Sequence, residues 1–522
     1  MGAAVSLPLP DGLLENKFTG VGIYNNSSFI LLYPGRQEID AVIKGIRLFW
    51  TLGIESEEVK LTQANQSPTC YLIKLVGAHF DILFKEEAVN FRLMITDILQ
   101  SYNHLGWKLL VSTDLSCEDD QTTFIFQRQG GNKELSTLFN IGLSSNDKLQ
   151  ISKSNPQVYQ MIRDVCSTVW TPGIQKESQP HSEAMEIKLE GTPWDPLDKS
   201  DAWRSRRLIT RIIETLDCKN VSLYGNSNLK STQDTLFFEV PRTPHTQQEW
   251  KAWKRHVSIS FVKTDRIRLV NAPVKISDVL HQVLTRYFRD GAVKTARKHE
   301  CFEYKTTGKL KCSPGNESIA ARLMISEILR EFLANGYEIQ TAIDISRKES
   351  DKDILLFREA EPLRTTFFCL SPRFKNQLTF INTPPEMIQV AKQLLFDCKF
   401  ECSDLLKDQV SCTIELGGSP WHSVAKGNGI HGRVLVLALI NVFSKHGWRV
   451  KASMDATVHQ NKADGSTDVH SLYFMYDQTL AAQKETCDTK DAYGHASAPP
   501  GASYQPLENP PSYDEAMGKK PL

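Results

Sequence analysis

One kind of segment returns four times along the 522 residues at a nearly fixed spacing, and this limits what the chain can fold into. The first copy holds Tyr71-Leu72-Ile73-Lys74-Leu75-Val76-Gly77, a helical run with Arg92-Leu93-Met94-Ile95, then Gly106-Trp107 and Thr123-Phe124-Ile125-Phe126. The second holds Met185-Glu186-Ile187-Lys188-Leu189-Glu190-Gly191, Arg207-Leu208-Ile209 and Thr235-Leu236-Phe237-Phe238. The third holds Gly308, Arg322-Leu323-Met324-Ile325, Gly336-Tyr337 and Ile354-Leu355-Leu356-Phe357. The fourth holds Thr413-Ile414-Glu415-Leu416-Gly417-Gly418, Arg433-Val434-Leu435, Gly447-Trp448 and Leu472-Tyr473-Phe474. The arginines Arg92, Arg207, Arg322 and Arg433 lie 115, 115 and 111 residues apart, and the glycines Gly77, Gly191, Gly308 and Gly418 lie 114, 117 and 110 apart. Two markers on one period identify a duplicated folding unit.

Within a unit the hydrophobic period switches in a fixed order, seen best in the third copy. His256 to Phe261 and Arg266 to Val270 alternate as half-buried strands do. Asn271-Ala272-Pro273 breaks the chain, and Ile276, Leu280, Val283 and Tyr287 follow at helical spacing. A strand around Phe302 to Thr306 precedes a helix over 317–334, which Asn335-Gly336 closes. Strands over 338–343 and 354–357 finish the unit. The spacing predicts an α+β module, β-β-α-β-α-β-β, with helices on one face of a mostly antiparallel sheet. Four modules in tandem are expected at 18–128, 135–240, 250–358 and 363–478, between a flexible start at 1–17 and a disordered tail at 483–522.

The repeated residues read as structural. A glycine after a strand supplies a backbone angle or a close turn. The arginine near the start of a buried helix is expected to pair with an acid on a neighbouring sheet or to cap a loop carbonyl; pointing outward in every copy, it would line an anion-binding face. Asp114, Asn226, Asp344 and Asp455 read as one register before a hairpin, where such side chains bond their own backbone.

Chemistry is hard to find. Lys plus Arg and Asp plus Glu both number 61, so a chain-wide grip on nucleic acid is not expected. The cationic stretch Trp250-Lys251-Ala252-Trp253-Lys254-Arg255 could bind single strands or a membrane surface, but reads better as a connector. No GxxxxGK[ST], strand-to-helix GxGxxG, HExxH or GxSxG occurs. Gly427-Asn428-Gly429-Ile430-His431-Gly432 is glycine-rich without the lysine a phosphate loop needs. The eleven cysteines show no paired CxxC spacing, so no metal and no cofactor are expected, and reduced thiols fit a cytoplasmic address. No run of about 18 apolar residues is present.

The two ends carry addresses. Met1-Gly2-Ala3-Ala4-Val5-Ser6 fits M-G-x-x-x-[ST], with Gly2 as the myristoylated residue. One such chain anchors only marginally, so a second contact is needed. The tail is rich in Pro, Ser, Gly and Ala and contains Pro510-Pro511-Ser512-Tyr513. This resembles the PPxY ligands of WW domains, found in adaptors for HECT-type ubiquitin ligases; the resemblance implies a WW groove on Pro510, Pro511 and Tyr513. Adjacent prolines pre-set the extended segment such a groove takes. Tyr504-Gln505-Pro506-Leu507 looks like a sorting signal with Tyr504 and Leu507 as its anchors. The expectation is a non-enzymatic peripheral adaptor on plasma or endosomal membrane, with a WW-domain protein at the tail and protein cargo on the modules. Two other readings stay open: an enzyme with a site between modules, and a nucleic-acid binder using the repeated arginines with the Trp250–Lys254 stretch.

Overall fold

A computed structural model of the chain describes residues 17–24, 27–62, 68–77, 85–115, 122–129, 136–196, 199–229, 234–241, 252–262, 265–288, 292–298, 301–306, 316–346, 351–421, 428–454 and 469–480. Module 1 is built from β1 (Phe18–Tyr24), β2 (Ser28–Leu32), α1 (Arg36–Phe49), β3 (Ile54–Thr62), β4 (Pro68–Leu75), α2 (Lys85–His104), β5 (Trp107–Thr113) and β6 (Thr123–Arg128). Module 2 repeats this as β7 (Thr137–Ser144), β8 (Lys148–Ser152), α3 (Pro156–Val169), β9 (Ile174–His181), β10 (Ala184–Leu189), α4 (Lys199–Cys218), β11 (Ser222–Asn228) and β12 (Asp234–Val240). Module 3 comprises β13 (His256–Val262), β14 (Arg266–Val270), α5 (Val274–Tyr287), β15 (Ala292–Lys298), β16 (Cys301–Thr306), α6 (Asn316–Ala334), β17 (Tyr337–Ile343) and β18 (Asp351–Glu359). Module 4 comprises β19 (Phe367–Arg373), β20 (Gln377–Ile381), α7 (Pro385–Asp397), β21 (Cys402–Lys407), β22 (Ser411–Leu416), α8 (Asn428–Lys445), β23 (Trp448–Met454) and β24 (Ser471–Tyr476).

The α+β class and the fourfold repeat stand. Each module has one strand more than hydrophobic periodicity reveals. The extra strand, β3 in module 1, pairs with β4 and forms the outer edge of a six-stranded antiparallel sheet, ordered β3-β4-β2-β1-β6-β5. Its counterpart β9 has no buried residue along its length. A strand that packs on nothing carries no alternating signal, and its charged residues guard an open edge.

Local sequence explains the other boundaries. Pro156 sits in the first turn of α3, and the Asn155 side chain accepts from Val158 N at 2.8 Å, which caps that end. The residue just after the second strand of each module is left-handed: Tyr33, Lys153, Asn271 and Asn382 have φ between 48° and 59°. Only two of them are asparagine, the residue that tolerates this best. Gly77, Gly191 and Gly418 also have positive φ, at 62°, 81° and 76°, which supports the reading of a required backbone angle. Gly308 lies outside the described residues.

The modules close into a ring. Each hydrophobic core joins the two helices of one module, packed on their own sheet, to the opposite face of the next module's sheet. The core around α1 and α2 includes Leu138 and Phe237 of module 2. That around α3 and α4 takes in Ile354 and Leu356 of module 3, and that around α5 and α6 takes in Phe367 and Tyr473 of module 4. The core around α7 and α8 contains Phe18, Ile30, Leu32 and Ile125, which belong to module 1. The inner strands of every sheet are therefore covered on both faces, and β1 is buried at all seven positions although it lies in an antiparallel sheet.

Closure also orients the chain ends. Phe18 pairs with Gln127, and Phe367 pairs with Met475, so in each module the first strand begins where the last one stops. Modules 4 and 1 stand side by side in the same sense, since Ser453 on β23 meets Thr113 on β5 at 2.8 Å. The start of the first strand and the end of the last strand of the modules therefore lie on one side of the ring.

Candidate functional site: an axial cavity between four strands

The innermost strands of the four sheets, β5, β11, β17 and β23, stand side by side around the ring axis. Each is bulged at the same place: after Leu109, Leu223, Ile339 and Val450. The bulge takes one residue out of the ladder; those residues, Leu110, Tyr224, Gln340 and Lys451, border a cavity of about 320 Å³ between the strands.

The cavity is polar and carries an excess of positive charge. Lys108, Arg449 and Lys451 line it against a single carboxylate, Glu338. Three of these charges share one origin: Lys108, Glu338 and Arg449 each follow the aromatic residue that follows a glycine, in Gly106-Trp107, Gly336-Tyr337 and Gly447-Trp448. The aromatic faces a core, so the next residue on the strand points the other way. Lys451 Nζ lies 2.5 Å from Glu338 Oε1, and Arg449 Nη1 lies 3.6 Å from Asp477 Oδ2. Burial pushes the Asp477 carboxyl up, but the Thr479 hydroxyl and amide and Arg449 outweigh this and hold it below the usual carboxylate range. Among the described residues Lys108 makes no ion pair, and Arg449 Nε is buried without a hydrogen bond.

The charged end of the cavity lies on the side of the ring where the chain ends emerge. The far end is tied across modules. Asn226 Nδ2 donates to Ala342 O at 2.7 Å, Thr341 Oγ1 donates to Asn226 Oδ1 at 2.5 Å, and Ser453 Oγ donates to Thr113 Oγ1. Asn226 is thus a cross-module tie. The Asp114 and Asp344 register belongs to Asn228, because Asn228 pairs with Asp234 two positions further on. Asp344 does bond its own backbone, accepting from Ser346 N at 2.9 Å; Asp455 lies outside the described residues.

The repeated arginines are buried between modules, where the partners seen among the described residues are hydroxyls, carbonyls and a side-chain amide. Arg92 donates Nε to Thr235 Oγ1 at 3.2 Å and Nη1 to Gln150 Oε1 at 2.5 Å, both in module 2. Arg322 donates to Ser471 Oγ at 2.7 Å in module 4, and Arg433 donates to Thr123 Oγ1 at 3.0 Å in module 1. Burial lowers the Arg92 guanidinium to about 10. In module 2 the equivalent residue is Arg206 and not Arg207. Arg206 is 2% exposed, and Thr210 bonds back to its carbonyl as Thr96 does to that of Arg92. Arg207, one residue on, is rotated off this face and only half-buried. Spacing alone chose wrongly within the run Arg206-Arg207. None of these buried arginines lines an outer anion-binding face.

The tryptophans that follow the strand-ending glycines are plugs. Trp194 and Trp421 are fully buried, and their indole nitrogens donate to Lys148 O at 3.0 Å and Gln377 O at 2.9 Å. Trp253 is half exposed, with the Arg255 guanidinium 5.3 Å from its ring; Trp250 and Lys251 lie outside the described residues. Gly2, Tyr504, Leu507, Pro510, Pro511 and Tyr513 lie outside them as well. No cluster of three or more His, Cys, Asp or Glu able to hold a metal ion occurs among the described residues, and no described helix is long and apolar enough to cross a membrane.

These features define a class: a closed ring of four duplicated α+β modules. One domain family's profile matches the chain four times, at residues 17–127, 137–239, 255–358 and 366–475, and the chain belongs to that family. No curated protein and no solved structure matches it.

Proposed function

We propose that this protein is a peripheral membrane adaptor without catalytic activity, acylated at Gly2 and recruiting a WW-domain protein through Pro510, Pro511 and Tyr513. The observation that supports this reading is the common side of the ring from which the start of β1 and the end of β24 emerge, in adjacent modules. A tether and a recruiting motif on one side would hold the WW partner, for instance a HECT-type ubiquitin ligase, close to the membrane. The rest of the ring would face the cytoplasm and offer cargo its outer surface. Two contacts acting together raise the effective concentration of the second, which offsets the weakness of a single myristoyl chain.

Replacing Gly2 with Ala should move the protein from the membrane fraction to the cytosol. Replacing Tyr513 with Ala should abolish capture on immobilised WW domains while leaving fractionation unchanged. Equal membrane recovery of wild type and Gly2→Ala defeats the tether, and undiminished capture of Tyr513→Ala defeats the motif.

A further inference from the structure

We propose that the axial cavity binds a compact phosphate-bearing anion, held by Lys108, Arg449 and Lys451. Buried cavities between duplicated strands can be filled by apolar side chains. Here the four strands instead bring three cations and one carboxylate to a space of about 320 Å³. The strands that wall part of this space lower the local dielectric and strengthen the field of such a cluster. The three cations come from modules 1 and 4 and differ in kind. Lys108 offers an ammonium that makes no ion pair among the described residues. Arg449 offers a buried Nε, with Nη1 turned toward Asp477. Lys451 is held by Glu338 at 2.5 Å, and an entering anion would compete for it.

A phosphate suits this set better than a carboxylate. It has several acceptor oxygens and can meet three cations from different directions. Gln127 and Gln129 border the same space and add amide donors. The cations lie on the side of the ring where β1 starts and β24 ends, and Lys108 there is exposed. The phosphate could therefore belong to a soluble molecule or to a lipid headgroup. The site does not depend on acylation of Gly2, so its test is separable from that of the adaptor reading.

The full-length Gly2→Ala chain, which carries no acyl group, should bind inorganic pyrophosphate saturably at one site per chain by isothermal titration calorimetry. Lys108→Gln and Arg449→Gln should each weaken binding by about tenfold, the loss of one charge-assisted hydrogen bond. Lys108 is exposed, so Lys108→Gln leaves the fold intact and reads the site even if Arg449→Gln proves unstable. Lys108→Arg should retain binding. A second arm floats the same chain with phosphatidylcholine vesicles containing either phosphatidylinositol 4,5-bisphosphate or phosphatidylserine at equal charge. Flotation with the bisphosphate alone, lost in Lys108→Gln, makes the source a headgroup; pyrophosphate binding without flotation makes it a soluble phosphate. No heat of binding at millimolar pyrophosphate, or binding by Lys108→Gln equal to that of its parent, overturns the proposal.

Discussion

The closing contact between modules 4 and 1 can be weighed by removing one hydroxyl. Arg433 is fully buried and donates Nε to Thr123 Oγ1 at 3.0 Å and Nη1 to Gly429 O at 3.0 Å, with its guanidinium 5.6 Å from the Tyr24 ring. Thr123→Val keeps the volume of the side chain and removes the acceptor of Nε. A buried charged donor that loses its acceptor costs about 2 kcal/mol, within a range of about 1–3. Arg433→Met in the same background removes the donor as well, and replacing both members by apolar groups of similar shape is close to neutral. The double variant should therefore be more stable than Thr123→Val alone. A chain of four cores need not unfold in one step, so the readout is local: native-state hydrogen exchange at the amides of β1 and β6. Thr123→Val should speed their exchange by about 30-fold, the factor that corresponds to about 2 kcal/mol, and Arg433→Met should restore most of the protection. Additive losses in the double variant, or unchanged exchange in Thr123→Val, would refute a ring held shut at this point by a buried charged bond.

Two further outcomes follow from burial. His256 is fully buried beside Lys254 O, the Asp217–Arg358 ion pair, Glu214 and Gln340, and desolvation, its largest cause, lowers its pKa to about 4. Below about pH 6.5 the unfolded chain takes up a proton that the folded chain refuses. Stability should thus fall as pH drops from about 6.5 toward 4, by a total on the order of 3 kcal/mol, and be fully present above that window; urea denaturation of wild type and His256→Gln at pH 7 and pH 5 should show the wild type losing more. Among glycines, a Cβ on Gly142 would fall on the Arg92 guanidinium, whereas one on Gly191 meets nothing within 4 Å and suffers only from its φ of 81°. Gly142→Ala should cost about 1–3 kcal/mol and Gly191→Ala about 1, an order that thermal denaturation of the two variants would check.

Much of the fold was legible in the sequence because it rests on local patterns. Strand alternation and helical stripes located seven of the eight elements in the third module, from His256 to Phe357, and Pro273 and Gly336 marked helix ends. The missing element, β15, and its counterparts are the outer edge strands of the sheets, and along β9 no residue is buried, so no periodic burial exists there to be read. Tertiary facts were out of reach for a different reason. Arg433 and Thr123 are 310 residues apart, and nothing local to either names the other. The choice between Arg206 and Arg207 depends on helix rotation, which a period of about 115 residues does not fix to one residue. The axial cations left a faint trace, a charge after Gly-Trp or Gly-Tyr in three copies, but only closure of the ring gives that position a common destination.

Closure itself follows from how each module is incomplete. Its helices cover one face of its own sheet, and the other face, such as Phe18, Ile30, Leu32 and Ile125 in module 1, is as apolar as a core. In an open array the first module would present that face to water, and a capping segment would be needed to shield it. Here α8 of module 4 covers it, so no cap is required, and the last module finds a use for the helix face that would otherwise end the array. The same closure brings four inner strands to one axis. Bulges then present residues that differ from module to module, Leu110, Tyr224, Gln340 and Lys451, around a single space. Duplication supplies the frame, and divergence at a few positions of four equivalent strands supplies whatever specificity the axis has.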